Sequence, residues 1–248
     1  MIKKNRKLIY IILLLFGLYI LGGMILSKRQ DLLIFDPTTL NSSFSFQTTH
    51  PYKEFNLKYN KNTTLNILYF PVDSANGQIL YFHDFSGNIN THLPEINSFL
   101  EGNKNVFILD YPGYGKSTGT PSEKIFYNSA DILYKLATNY LSPDSTIICG
   151  EGTGSAVAAY LSTKEKSKKL ILLNPIYQLS DVAQHYFPIY PVNKYLHYNF
   201  ATSYYVKRTH TPVTVIYNKK DYGFFYDQAK KLGSILYDKD TFIDQSTH

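Results

Sequence analysis

The sequence predicts an α/β protein in which a mostly parallel sheet is flanked by helices and preceded by one membrane-spanning helix. Three observations carry this. Short apolar runs recur along the chain and, after the first two, alternate with stretches of helical period. Several runs are continuously apolar, the pattern of strands covered on both faces. A charge-free segment of 19 residues, Leu8 to Leu26, lies near the amino terminus.

That segment, LIYIILLLFGLYILGGMIL, is long enough at 1.5 Å per residue to cross most of a hydrocarbon core of ~30 Å. A core helix would be apolar on one stripe, whereas this one is apolar on every face. A cleavable signal peptide is the rival reading, but its apolar region is ordinarily ~7–15 residues and ends in an A-x-A-like site, which is absent here. Lys3, Lys4, Arg6 and Lys7 precede the segment, and Lys28 and Arg29 follow it with Asp31. The positive-inside rule then places the amino terminus in the cytoplasm and the rest of the chain on the outer, periplasmic or extracellular, side. The expected organisation is a basic terminus and anchor over residues 1–29, a stalk over 30–51, and one domain over 52–248.

The formal charge of +6 comes from the first 30 residues, and the remainder carries equal numbers of basic and acidic groups. A neutral body argues against a nucleic-acid surface, which needs Lys and Arg gathered where phosphates lie. The lone cysteine, Cys149, closes an apolar run and reads as a buried thiol. No His, Cys or carboxylate cluster has ligand spacing, so no metal or other cofactor is expected.

Strands are expected at Glu54 to Tyr59, Leu65 to Pro71, Gln78 to Phe82, Val106 to Asp110, Thr146 to Cys149, Leu170 to Leu173, Val213 to Tyr217 and Thr241 to Ile243. Helices are expected at Leu93 to Leu100, Ser122 to Leu141, Thr153 to Leu161 and Phe224 to Leu232. Residues 176–205 break the alternation with nine Tyr or Phe and two prolines. They read as a lid over the site or simply as aromatic packing.

The glycines Gly150, Gly152 and Gly154 follow a strand and open a helix, as in a dinucleotide fingerprint, but the next strand ends at Leu173-Asn174 and not at an acid. Gly115-Lys116-Ser117 imitates a phosphate loop, yet Asp110 stands where that motif requires glycine. The same glycines fit a third pattern. Gly150-Glu151-Gly152-Thr153-Gly154 is G-x-S-x-G, the nucleophile elbow, with glycine in the serine's place.

Around it stand Leu80-Tyr81-Phe82-His83-Asp84-Phe85-Ser86-Gly87-Asn88-Ile89, then Asp110-Tyr111-Pro112-Gly113-Tyr114-Gly115-Lys116-Ser117 through Gly119-Thr120-Pro121-Ser122-Glu123, and later Leu173-Asn174-Pro175. With these motifs in this order, residues 52–248 resemble the ABHD13/BEM46-like group of α/β-hydrolases, a serine aminopeptidase-type group. The resemblance implies the α/β-hydrolase fold and a site acting on esters, amides or thioesters. It carries the triad acid onto Asp221, after Val213-Thr214-Val215-Ile216-Tyr217, and the histidine onto His248, which also reads as a chain end. It assigns oxyanion donors to the backbone N–H groups of Phe85 and Thr153. Where that group has glycine, this chain has Asp84.

Gly152 can make the turn but has no atom with which to attack. Ser86, Thr153 and Ser155 are nearby hydroxyls, and none has a partner base that the sequence identifies. The expectation is therefore a membrane-anchored α/β-hydrolase homologue, a pseudoenzyme that has lost serine chemistry and binds a small-molecule, lipid or peptide ligand. The second hypothesis is a working hydrolase that uses Asp221 and His248 with water or an unorthodox nucleophile.

Overall fold

In the computed structural model, residues 2–217, 223–237 and 240–244 are described, with side chains from residue 6 onward. Eight strands form one sheet: β1 (Lys53–Lys58), β2 (Thr64–Phe70), β3 (Gln78–Phe82), β4 (Asn105–Leu109), β5 (Thr146–Glu151), β6 (Lys169–Leu173), β7 (Val213–Tyr217) and β8 (Thr241–Asp244). Their order across the sheet is β8-β7-β6-β5-β3-β4-β2-β1. The pairs β1–β2 and β2–β4 are antiparallel, and the other five are parallel. Each strand lies within two residues of its sequence-based bounds, because an apolar run and its flanking turn residues mark both ends.

The long helices are α1 (Ile2–Lys28), α2 (Leu93–Glu101), α3 (Glu123–Ala137), α4 (Gly154–Lys164) and, after the shorter α5 (Leu179–Tyr186), α6 (Val192–Tyr195) and α7 (Thr202–Val206), α8 (Phe224–Gly233). The helix expected over Ser122 to Leu141 stops at Ala137, where Thr138, Asn139 and a turn follow. At its other end Ser122 caps it, accepting from the Ile125 N–H at 3.4 Å.

Period-two alternation sorts the strands onto two cores. Ile67, Leu80, Phe107 and Ile148 face α3 and α4, where Phe126, Ala130, Leu133, Val157 and Leu161 meet them. Leu68, Tyr81, Ile108 and Cys149 face α2, meeting Leu93, Ile96 and Leu100. Cys149 is fully buried, and burial pushes its thiol well above the usual range. Residues 30–51 join both cores through Phe35 and Phe46, and Asp36–Pro37 pair with Ser86–Gly87 beside the main sheet.

The chain runs from β3 outward to β4 on one side and returns to β5 on the other. The carboxyl ends of β3 and β5 thus flank the point where strand order reverses, the place where open α/β sheets form their ligand crevice. The loop after β3 and the turn after β5 meet there.

Candidate active site at the elbow

Three glycines make the elbow, each for its own reason. Gly152, directly after β5, takes φ +53°, a left-handed conformation that side-chain-bearing residues rarely adopt. A β-carbon on Gly150 would crowd the Ala158 methyl at 2.6 Å, so this glycine lets α4 lie close on β5. Gly154 lies so close to the Phe82 and His83 carbonyl oxygens that a β-carbon would run into both. The Gly152 N–H donates to the Leu173 carbonyl at 3.0 Å, pinning the turn to β6.

Asp84 stands against the turn. A β-carbon at position 152 would lie 3.0 Å from the Asp84 β-carbon and 3.7 Å from its Oδ2, so the residue that departs from the family's glycine occupies the space a nucleophile would need. Its Oδ1 accepts from the Ser86 N–H at 3.0 Å and the Ser86 hydroxyl at 2.7 Å. Ser86 is therefore engaged with a carboxylate.

Of the two N–H groups expected to hold an oxyanion, that of Phe85 donates to the Thr153 hydroxyl at 2.8 Å. The side chain next to the apex thus fills one half of the anion site with its own oxygen. Ser155 is buried and its hydroxyl turns back onto the Gly152 carbonyl, away from the crevice. Asp221 and His248 lie outside the described residues.

Beneath the loop is a group that no motif signalled. His92, just ahead of α2, lies between Asp84 and Glu151, with Nε2 3.7 Å from Asp84 Oδ1 and Nδ1 3.8 Å from Glu151 Oε2. Glu151 also accepts from the Tyr81 hydroxyl, and burial raises its carboxyl above the ordinary range. The Glu151 side chain therefore faces α2. His83 is fully buried and stacks on His92 with ring centroids 4.8 Å apart and 24° between planes. Burial, with the neighbouring His92, pushes its imidazole down to about 3.

Donor atoms of His83, Asp84 and His92 come within 4.8 Å of one another, the one such set found among the described residues. The His83 Nδ1 is already engaged with the Asp84 carbonyl at 2.6 Å. The set is a stacked imidazole pair beside a carboxylate.

His83 gives a pH prediction with a definite sign. Its depressed pKa keeps the folded chain neutral there, while the unfolded chain takes a proton near 6.5. This stability is present above about 6.5 and is lost as pH falls toward 3. The expected loss from His83 is about 2 kcal/mol between pH 6.5 and 5. Asp110 opposes it: burial raises its carboxyl to about 6, so its contribution is present at low pH and lost as pH rises through 6. Denaturant titrations of His83→Gln across pH 5–7 should show a shallower fall on acidification than the parent chain.

No family model matches the chain. Among curated proteins it is similar to protein bem46 of Schizosaccharomyces pombe, 35% identical over 152 residues, which are 55% of this chain and 50% of that one. It is also similar to alpha/beta hydrolase domain-containing protein 17B of Xenopus laevis, 36% identical over 110 residues, covering 42% of this chain and 37% of that protein. The aligned stretches thus span half or less of these two relatives. Of solved structures, an esterase from Pyrococcus furiosus superposes with TM-score 0.64 at 16% identity, covering 86% of this chain and 88% of its own. An α/β-hydrolase from Vibrio vulnificus superposes with the same TM-score at 19% identity, covering 78% and 73%. The elbow, the ordered motifs, the strand order and these similarities show that this chain has the α/β-hydrolase fold and is similar in sequence to BEM46-like α/β-hydrolases.

Proposed function

We propose that this chain is a membrane-anchored α/β-hydrolase homologue that binds a ligand at its crevice without performing serine hydrolysis. The observation that carries the reading is the elbow: glycine at the apex, Asp84 against the space above it, and the Phe85 N–H spent on Thr153. Attack, charge neutrality and oxyanion stabilisation are three separate requirements of acyl transfer, and each is compromised by a different residue. A fluorophosphonate probe tests this directly. No covalent labelling is expected, and labelling that disappears with substitution of one hydroxyl of this chain overturns the reading in favour of an active hydrolase with an unorthodox nucleophile.

Helix α1 supports the anchor. Within Arg6–Lys28 an 18-residue window has mean hydropathy 2.6 and none of that window is buried, so its apolar faces have no protein partner along most of their length. In this reading the basic residues before it hold the amino terminus in the cytoplasm and place the domain on the outer side. The full chain is expected to stay in the membrane pellet after alkaline carbonate, and a chain lacking residues 2–28 is expected in the supernatant.

A further inference from the structure

Helix α1 meets the domain through a ring contact that lies well inside its apolar stretch. The rings of Tyr19 and Tyr190 stack with centroids 4.8 Å apart. The Tyr19 hydroxyl donates to the Ile189 carbonyl at 3.2 Å, and the Tyr190 hydroxyl donates to the Tyr19 carbonyl at 3.3 Å. Gly22 and Gly23 provide the room, since a β-carbon at position 22 would meet the Tyr190 hydroxyl. Tyr19 is seven residues before Leu26, or about 10 Å along the helix from the end of the charge-free segment. If α1 spans the bilayer, the tip of the insert between α5 and α6 lies at hydrocarbon depth beside it.

The backbone of that tip suits such a place. Lipid offers no partners for peptide groups, so every one must be satisfied within the protein. Gln184 Nε2 donates to the carbonyls of Phe187, Pro188 and Tyr190 at 3.1–3.4 Å, while Ile189 has the Tyr19 hydroxyl. Pro188 and Pro191 have no N–H to satisfy. The side chains of Tyr186, Ile189 and Tyr195 are more than half exposed, leaving apolar surface that lipid would cover.

Between this tip and α1 runs a cavity of about 200 Å³, walled by Leu26, Leu33 and Ile34 on one side and Leu179, Val182 and Ala183 on the other, and reaching Thr153 at the elbow. Its volume is below the ~300–1,000 Å³ of pockets that hold compact drug-sized molecules. Gln30, its most polar wall residue, spends its amide on the Ser27 and Tyr195 carbonyls and its oxygen on the His197 N–H. Leucine, isoleucine, valine and alanine side chains dominate the walls, and the hydroxyl groups among them belong to Ser27, Thr153 and three tyrosines. Resting on the anchored reading above, we propose that the insert tip sits in the leaflet and that the cavity takes one acyl chain of a bilayer lipid. The chain enters sideways between α1 and α5, with its polar end toward the elbow.

The full-length chain in phosphatidylcholine vesicles, with a trace of phosphatidylcholine carrying a diazirine midway along one acyl chain, provides the test. Irradiation should label the peptide containing Leu179–Tyr186 as well as α1. Excess oleic acid should reduce the α5 label at least tenfold and leave that on α1 unchanged, and Ala183→Trp should do the same. Label confined to α1, or α5 label that oleic acid does not displace, overturns the proposal. Should the Trp variant misfold, the oleic acid competition in the unaltered chain decides alone. Fluorophosphonate labelling of the same vesicles reports separately on the loss of serine chemistry, so either idea can fail while the other stands.

Discussion

The combination Gly152→Ser, Asp84→Gly and Thr153→Ala is expected to be labelled by a fluorophosphonate and to hydrolyse a p-nitrophenyl ester, whereas Gly152→Ser alone is not. A lone serine would sit at φ +53° with its β-carbon 3.0 Å from that of Asp84. The left-handed backbone costs about 1–3 kcal/mol, and the adjacent carboxylate opposes developing negative charge. Removing Asp84 clears the space. Removing the Thr153 hydroxyl then releases the Phe85 N–H, and a single oxyanion donor is worth about 10²–10³ in turnover. The double variant Gly152→Ser, Asp84→Gly should therefore be slower than the triple by about that factor. A triple variant that folds but neither labels nor turns over would show that Asp221 and His248 do not act over the elbow.

Gly154→Ala is expected to be strongly damaging to the fold. The added methyl would enter the Phe82 and His83 carbonyl oxygens at the end of a fully buried central strand, so it can be accommodated only if α4 and β3 move apart. That separation would open the close-packed contact on which both cores rest. A loss of about 4 kcal/mol or more follows, a large share of the 5–15 kcal/mol that holds a typical domain. Gly17→Ala is the matched control, because nothing lies within 4 Å of its added carbon. Urea titration of the two variants should show a strongly lowered midpoint for the first and none for the second.

The sheet was readable because its signal is redundant. Leu80, Phe107, Ile148 and Leu170 are apolar on account of burial, and the turns between strands carry their own glycines and prolines, so pattern and punctuation agree. The elbow was readable for a related reason: three glycines at fixed offsets are a backbone requirement, and backbone requirements leave marks in sequence. His92 left none. It reaches Asp84 and Glu151 from a turn ahead of α2, through contacts that depend on where three separate segments are placed. The hydroxyl of Thr153 on the Phe85 N–H was hidden in the same way, since a threonine after the apex reads as an ordinary helix opening until its rotamer is known. The roles of Gly22 and Gly23 were likewise out of view, because the ring they accommodate comes from a residue more than 160 positions later.

The stacked tyrosines give the molecule an unusual mechanical reference. Because Tyr190 is held to α1 by a ring contact and two hydrogen bonds, the insert takes its position from the helix as well as from the sheet beneath it. A helix in a thicker or thinner bilayer adjusts its tilt to match. If α1 spans a bilayer, as proposed above, any such tilt would pass through one aromatic contact to the mouth of the cavity.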